Sequence, residues 1–310
     1  MMAYCKRNHA RKAALEWIDN DPETLDFINY WFGPKQEFEL RRVAKYFSNV
    51  NYNFNSTPIN VLMVALSRLI ITKEPKASLA RDTAHSRPHK TVTENEYSIY
   101  ENLESSVHHV LNALDSRGIL TNSKTYLCDA RNMARIPTAS VDAIITSPPY
   151  LNAIDYMRGH KFSLIWFGFS LSKLRRIRTT AIGAETGASE YIAPEFDRIS
   201  KKLKLGTLDK RNIRMLRRYH ADLRAQLQES WRVIRKGRRA IFVVGNSSIR
   251  GTYIRNNEIL RSAAESAGFE FVSETTREIP DKMRYMPMTT GSSNTLANRM
   301  RTEHIIELAS

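Results

Sequence analysis

The stretch VDAIITSPPY, residues 141–150, decides how the second half of this chain is expected to fold. Its apolar start, Val141 to Ile145, is typical of a strand buried in a sheet. Pro148 and Pro149 lack backbone N–H groups and have a fixed φ, so they end the strand and stiffen the loop. The sequence therefore predicts a rigid loop at the carboxyl end of a strand, where open α/β sheets bind their ligands.

The side chains of this loop suit the recognition of an amino group. The Ser147 hydroxyl and the Pro148 carbonyl can each accept one hydrogen of an exocyclic amine. Tyr150 can stack on a nucleobase that has left the helix, as chemistry on a paired base requires. The alternative is an ordinary Pro-Pro turn after a strand, with Tyr150 as a half-buried aromatic residue.

From residue 122 onwards, strand patterns alternate with helix patterns. Short apolar runs predict strands at Thr125–Cys128, Ala139–Ile145, Arg239–Val244, Phe269–Thr276 and Glu303–Leu308. Helical periodicity predicts two helices, Ile213–Val233, followed by a glycine stop at Gly237, and Asn257–Ala267, ended by Gly268. Such alternation is typical of an α/β fold with a doubly wound, mostly parallel sheet. The turn at Asp129 and Ala130 is then expected at the same sheet edge as Tyr150.

Residues 1–121 have a different pattern and are expected to be mainly helical. Apolar residues recur at helical spacing in four segments, Ala10–Ile18, Phe38–Phe47, Asn60–Ile71 and Glu96–Leu114. The sequence therefore predicts a helical amino-terminal region, 1–121, followed by an α/β region, 122–310.

Composition and charge restrict the class of protein. The chain is 42% hydrophobic and 25% charged, as in soluble globular proteins. Its net charge of +15 and pI near 9.9 indicate a polyanionic partner, with nucleic acid as the first candidate. Thirteen basic residues, against five acidic ones, lie between residues 171 and 220. We expect this stretch to contact a nucleic-acid backbone through side chains that include Arg175, Arg176, Arg178, Lys201 and Lys202.

Several classes of protein do not fit the sequence. No apolar run approaches the roughly 20 residues of a membrane span, and the basic start of the chain lacks the apolar core of a secretory signal. Cys5 and Cys128 are far apart and have no partners at zinc-binding spacing, which argues against a disulfide framework or a metal site. The cysteine content fits a reducing cytoplasm.

A series of short motifs carries a family resemblance. They are DAR at 129–131, IP at 136–137, SVD at 140–142, TSPPY at 146–150, LNAIDY at 151–156, SWRVI at 230–234, Gly237, and RMRTE at 299–303. They resemble the motifs of S-adenosylmethionine-dependent DNA methyltransferases that modify amino groups, at N4 of cytosine or N6 of adenine. The resemblance covers most of residues 125–310 and implies a Rossmann-like methyltransferase sheet.

The resemblance also implies roles for individual residues. In this family the S-P-P-Y residues clamp the target amine, a role that passes to Ser147, Pro148, Pro149 and Tyr150. The acidic residue at the preceding strand end contacts the adenine of S-adenosylmethionine, which implicates Asp129 with its neighbour Ala130. The implied reaction is a direct methyl transfer to a flipped base of double-stranded DNA. Serine at the first motif position favours cytosine N4 over adenine N6.

One motif of the family is missing. The family binds the methionine part of the cofactor with a glycine-rich loop of the type D-P-F-x-G-x-G-T, and nothing in this sequence matches it. Gly245–Ser248 lacks a second nearby glycine, and Gly183–Gly187 follows no convincing strand. We therefore expect a split enzyme whose partner polypeptide supplies this loop, a truncated remnant, or a shortened form. The alternatives are a noncatalytic DNA-binding subunit and an RNA methyltransferase.

Overall fold

The fold of this 310-residue chain is given by a computed structural model. The structure describes residues 12–50, 56–83, 88–116, 123–151, 156–184, 194–249, 252–280 and 300–310. The chain forms two compact units, Met1–Ser123 with Asp155–Arg178, and Lys124–Ile154 with Thr179–Ser310. These units differ from the predicted regions at residues 155–178, which belong with the amino-terminal helices.

The first unit is built mainly from helices. They are α1 (Glu16–Asp19), α2 (Pro22–Trp31), α3 (Pro34–Asn49), α4 (Thr57–Ile70), α5 (Ile99–Asp115), α6 (Tyr156–Leu164) and α7 (Leu171–Thr180), with a short antiparallel pair, β1 (Ala80–Arg81) and β2 (His89–Lys90). The predicted helices that correspond to α3, α4 and α5 are confirmed. The prediction at Ala10–Ile18 is wrong for residues 12–15, which are not helical, and α2 was not predicted.

Prolines and a polar cap set where two of these helices begin. Pro22 and Pro34 are the first residues of α2 and α3, where the N–H that proline lacks has no helical partner anyway. The Asp21 carboxylate accepts a hydrogen bond from the Thr24 backbone N–H at 3.0 Å. The Asp21-Pro22 pair is thus the local signal for the start of α2. Among the described helices, none combines the length and the apolar character that a membrane span requires.

Aromatic side chains fill the core of the first unit. The ring centroid of Phe162 lies 4.9 Å from that of Phe27 and 5.2 Å from that of Trp31, both in edge-on arrangements. The Trp17 indole donates a hydrogen bond to the Ile165 carbonyl at 2.8 Å. These contacts fasten the segment containing α6 to α1 and α2, which explains why residues 155–178 belong to this unit.

The second unit contains a four-stranded sheet. Its strands are β3 (Val141–Thr146), β4 (Ile234–Gly245), β7 (Glu270–Glu278) and β8 (Thr302–Ala309), and a separate hairpin joins β5 (Ser247–Ile249) and β6 (Thr252–Ile254). The order is β3-β4-β8-β7, with β3 parallel to β4 and β8 antiparallel to both its neighbours. The α/β class is confirmed, but the predicted strand directions need a correction. The sheet is mixed because β8, the last strand of the chain, inserts between β4 and β7.

The helices of the second unit are α8 (Pro194–Lys202), α9 (Lys210–Val233) and α10 (Asn256–Ala267). The predictions for α9 and α10 are confirmed, and Gly268 ends α10 with a φ of +105°. Gly237 does not stop a helix, because α9 passes directly into β4 and Gly237 lies within that strand at a φ of +73°. The predicted strand Thr125–Cys128 is also wrong, since these residues have no regular structure.

The core of the second unit lies between the sheet and its helices. Ala240, Phe242 and Val244 alternate along β4 and are fully buried. They belong to the same apolar cluster as Leu223 of α9 and Leu260 of α10. This packing holds α9 against the sheet whose first strand leads into the S-P-P-Y loop.

Candidate active site

The S-P-P-Y loop follows β3 directly and is anchored by α9. Ser147 is exposed, Pro148 is buried, and Pro149 and Tyr150 are half-buried. The Pro149 carbonyl accepts a hydrogen bond from the Tyr219 phenol of α9 at 3.0 Å. Burial raises the pKa of Tyr219, so its phenol stays a neutral donor near pH 7. The loop is therefore held from the helix side while Ser147 stays open to solvent.

A chain of hydrogen bonds starts at Ser147. Its hydroxyl oxygen lies 3.2 Å from the Tyr150 phenol oxygen and 3.0 Å from the Val243 carbonyl oxygen, and its one hydrogen can be donated to either. The Tyr150 phenol donates to Oε1 of Glu303, in β8, at 2.8 Å. In either arrangement the Ser147 oxygen keeps lone pairs that can accept a hydrogen from an amino group.

Glu303 is held in turn by Arg277 of β7. The Nε and Nη2 groups of Arg277 donate to Oε2 of Glu303 at 3.0 and 2.6 Å, so Oε1 is the oxygen that meets Tyr150. Burial raises the pKa of Tyr150 to about 12, and the Glu303 carboxylate acts in the same direction. Neither Arg277 nor Glu303 was predicted as a site residue. The RMRTE motif, which contains Glu303, is the sequence feature that could have indicated a role for this residue. Its contact with Tyr150 could not be read from the sequence, because 153 positions separate the two residues.

Gly245, at the end of β4, leaves the space that the Tyr150 ring needs. A Cβ on Gly245 would lie 2.2 Å from Sδ of Met300 and 2.9 Å from Cε2 of Tyr150, far inside contact distance. Met300 and Ile279 are buried and pack against Tyr150. The back of the tyrosine ring is therefore apolar, while its phenol oxygen lies in a polar cluster.

Asp129 lies in a turn and is paired with Arg131. The guanidinium contacts Oδ1 from Nε at 3.0 Å and Oδ2 from Nη2 at 2.7 Å, and these hydrogen bonds lower the pKa of Asp129. Nη1 of Arg131 contacts Asp222 of α9 at 2.7 Å. Asp129 is exposed and Ala130 is half-buried, and no strand precedes them in the described range that begins at residue 123. Their predicted contact with the cofactor adenine stays a prediction.

Helix α9 connects the two segments that were predicted to contact ligands. Tyr219 bonds the 147–150 loop, and Asp222, three residues later, bonds Arg131 in the 129–131 turn. Residues three apart lie on the same face of a helix. The structure therefore ties both segments to one face of α9, within the second unit.

The described residues do not form the glycine cradle that the methionine part of S-adenosylmethionine needs. Gly245 is required by the packing of Tyr150 and Met300. Gly183 has a φ of +76°, a turn conformation for which glycine is favoured, and its nearest neighbours are the Tyr150 carbonyl and the Tyr219 ring. Both glycines that the sequence offered thus have local explanations. The described residues fit the amine side of the predicted site and not the methionine side of the cofactor.

Comparison with solved structures finds a DNA modification methylase from Thermus thermophilus whose assignment is itself provisional. Its selenomethionine form is 15% identical, with 59% of this chain and 50% of that chain covered and a TM-score of 0.28. The corresponding values are 14%, 59%, 52% and 0.30 for a second structure, and 17%, 59%, 53% and 0.30 for its complex with S-adenosyl-L-methionine. This chain thus spans about half the length of that protein.

No protein-family model and no curated protein sequence matches the chain. TM-scores near 0.3 do not establish a shared fold. The function must therefore be inferred from the residues of the chain itself.

The predicted DNA-contacting residues are exposed but lie in different units. Arg175, Arg176 and Arg178 are on α7 in the first unit, and Lys201 and Lys202 end α8 in the second. Among the described residues, Arg175 is paired with Glu23 and Lys202 with Glu258. Phosphate contacts by these two residues would have to compete with those carboxylates. All five stay predictions as DNA contacts.

The sequence did not single out His220, a buried histidine. His220 of α9 is fully buried, next to the Phe196 ring of α8 at 5.9 Å between centroids. Burial lowers the pKa of His220 to about 4. Its burial could have been suspected from the apolar periodicity of α9, in which position 220 lies one residue from Tyr219 and three from Leu223.

Parts of the predictions lie outside the described residues, namely Cys5, residues 10–11 of the first predicted helix, residues 152–155 of the LNAIDY motif, residues 185–187, which include Gly187, and Arg299. Within the described ranges, no group of three His, Cys, Asp or Glu side chains is placed to hold a metal ion.

Proposed function

We propose that this chain carries the target-amine side of an S-adenosylmethionine-dependent DNA methyltransferase, which transfers a methyl group to an exocyclic amino group of a base. The observation that supports this most directly is the exposed Ser147 hydroxyl beside Tyr150, whose oxygen can accept a hydrogen from an amino group, in a loop stiffened by two prolines. The strong positive charge of the chain supports a nucleic-acid substrate.

Each residue of the loop has a part in this proposal. An exocyclic amine is a poor nucleophile because its lone pair is delocalised into the base, so both of its hydrogens need acceptors that hold the nitrogen towards a tetrahedral shape. Ser147 and the Pro148 carbonyl supply these acceptors. Tyr150 stacks on the extruded base. Pro149 keeps its carbonyl on Tyr219 and so fixes the loop before the base arrives.

S-adenosylmethionine would supply an electrophilic methyl group on a sulfonium. Asp129, with Ala130, is the residue of this chain proposed to contact its adenine, after an exchange of part of the Arg131 pairing. Because the described residues lack the glycine cradle, the proposal includes a second polypeptide that carries the glycine-rich loop. No step of the reaction is assigned to that second polypeptide.

The target base and the nucleic acid belong to the same proposal. Ser147, in place of an acidic residue, favours cytosine N4 over adenine N6, since the resemblance associates serine with the cytosine enzymes. Arg175, Arg176, Arg178, Lys201 and Lys202 are proposed to contact the phosphates of double-stranded DNA. RNA is the competing substrate. A methyl-transfer assay run with each nucleic acid separates the two.

A second candidate function is a noncatalytic or half-enzyme DNA-binding subunit. The specific observation in its favour is that Gly245 is explained by packing against Met300 and Tyr150, and Gly183 by its turn conformation with a φ of +76°. Calorimetry with S-adenosylmethionine shows whether the chain binds the cofactor by itself. Methyl transfer in the presence of a polypeptide that carries the glycine loop then separates the candidates, because the proposed enzyme transfers the methyl group and a noncatalytic subunit does not.

The test supplies labelled S-adenosylmethionine and unmodified double-stranded DNA or RNA to the chain, alone and with a polypeptide carrying the glycine loop. Label in DNA, recovered as N4-methylcytosine on nucleoside analysis, is the expected result. Ser147→Ala should abolish the transfer, whereas Ser140→Ala should not, because the Ser140 hydroxyl bonds the Pro137 carbonyl away from the loop. A folded protein that labels no nucleic acid in either condition would remove the catalytic proposal.

A further inference from the structure

The hydroxyl of Ser147, the phenol of Tyr150 and the carboxylate of Glu303 form a continuous line of oxygen atoms. Successive oxygens are 3.2 and 2.8 Å apart, within hydrogen-bond distance. Ser147 donates towards Tyr150, and Tyr150 donates towards Glu303. The line therefore leads from an exposed oxygen at the loop to a carboxylate whose side chain is 15% exposed.

The ends of this line are fitted for different tasks. At the outer end, the Ser147 oxygen can accept a hydrogen while its own is donated inward. At the inner end, Arg277 occupies Oε2 of Glu303 and leaves Oε1 to Tyr150. The tyrosine in the middle is kept neutral by burial, so it holds the hydrogen that a relay must pass on.

We propose that Ser147, Tyr150 and Glu303 form a proton relay that carries away the proton released when the target amine is methylated. This inference rests on the proposed function of the loop. A nitrogen that forms a bond to the methyl carbon of a sulfonium donor gains a positive charge and must lose one hydrogen as a proton. That proton passes to the Ser147 oxygen, the Ser147 hydrogen passes to Tyr150, and the Tyr150 hydrogen passes to Oε1 of Glu303.

The relay leaves Ser147 and Tyr150 as neutral as they began and converts Glu303 from carboxylate to carboxylic acid. The charge lost from the sulfonium donor is thus balanced at Glu303, and the released proton later returns to solvent. Glu303 acts through Tyr150 and does not touch the base, so it is a positioning residue and the final proton acceptor. The Val243 carbonyl, at 3.0 Å from Ser147, is a second acceptor for the serine hydrogen, and the relay operates when this hydrogen is donated to Tyr150.

The kinetic test compares Glu303→Gln, Tyr150→Phe and the double variant under single-turnover conditions, so that product release does not mask the chemical step. Each single variant should slow methyl transfer about 100-fold, the usual range for loss of a proton acceptor, and leave the apparent dissociation constant for DNA within about twofold. The double variant should be no slower than either single one, because all three break the same relay. If the rate losses of the two single variants multiplied in the double variant, the two residues would act independently and the relay would be overturned.

Glu307→Gln is the matched control. Glu307 lies on the same strand, four residues from Glu303, with its own arginine, Arg239, and its own hydroxyl partner, Ser273. Its substitution should leave transfer unchanged. A Glu303→Gln enzyme as fast as Glu307→Gln would also overturn the proposal.

A second readout does not depend on methylation. Tyrosine labelled with ¹³C at Cζ, with the Tyr150 signal assigned through Tyr150→Phe, reports the phenol pKa by nuclear magnetic resonance. Removing the charge of Glu303 should lower that pKa, and Glu307→Gln should not. An unchanged Tyr150 pKa would show that the Tyr150–Glu303 bond is absent in solution and would end the relay. If the titration behaves as expected but the parent chain transfers no methyl group, the proposed function fails and the relay fails with it.

Discussion

Mild acid should destabilise the second unit through His220. Neither of its ring nitrogens has a hydrogen-bond partner among the residues that the structure describes. Burial lowers its pKa from 6.5 to about 4, while Glu195 opposes this change and Arg224 adds to it. A histidine in this environment is stable in its neutral form, and its protonation is resisted by the fold.

The sign and size of the effect follow from the difference between the two pKa values. Below pH 6.5 the unfolded chain binds a proton at His220, but the folded chain does so only near pH 4. The contribution of neutral His220 to the free energy of unfolding is therefore fully present above pH 6.5 and is lost as the pH falls towards 4. Between about pH 7.5 and 5.0 the loss amounts to about 2 kcal/mol of unfolding free energy. The complete loss, below both pKa values, is about 3 kcal/mol, since one pKa unit corresponds to about 1.4 kcal/mol.

Urea unfolding at pH 7.5 and 5.0, followed by far-UV circular dichroism, measures this difference. His220→Phe, a change of similar size, should keep its stability at pH 7.5 and lose the drop at pH 5.0. Asp129 and Glu229, whose pKa values are lowered in the folded chain, lose their contribution to stability mainly as the pH falls below their ordinary 3.8 and 4.5, and this loss is common to the parent chain and His220→Phe. Equal losses in the parent chain and in His220→Phe would refute the argument.

Two further substitutions test the packing around the loop. Tyr219→Phe removes the hydrogen bond to the Pro149 carbonyl and should lower the unfolding free energy by about 1 kcal/mol, measured by urea unfolding, with slower methyl transfer because the loop is less fixed. Gly245→Ala places a Cβ against Met300 and the Tyr150 ring, so it should cost about 1–3 kcal/mol. A Gly245→Ala protein as stable as its parent would show that this space is not tightly filled.

The elements with strong periodicity were predictable from sequence, and their arrangement was not. Helix α9 was recognised from a long helical pattern, and β3 from an apolar run that ends in two prolines. The insertion of β8 between β4 and β7 depends on pairings between distant parts of the chain, which no local pattern encodes. Residues 125–128 look like a strand but leave Leu127 84% exposed, with no partner strand in the described part of the chain.

The same distinction applies to the site. The S-P-P-Y loop could be found because the residues assigned to its function are consecutive in the sequence. The residues that support it, Tyr219 and Glu303, lie 70 and 153 positions away from their partners in the loop. Charge was a weaker guide, because the basic stretch includes Arg218, which is buried and donates to the Thr179 carbonyl at 2.6 Å. A count of basic residues does not say which side of a helix each one occupies.

Because two segments are attached to α9, this helix fixes the spacing between their points of attachment. Tyr219 and Asp222 are three residues apart, so about 4.5 Å along the helix axis separates their points of attachment. One residue inserted between them would turn Asp222 about 100° away from the face that carries Tyr219. Arg131 and the 129–131 turn would then lose their anchor while the loop kept its own. Insertions and deletions between these two positions would therefore change the spacing on which both segments depend, whereas substitutions on the other faces of α9 would leave it intact.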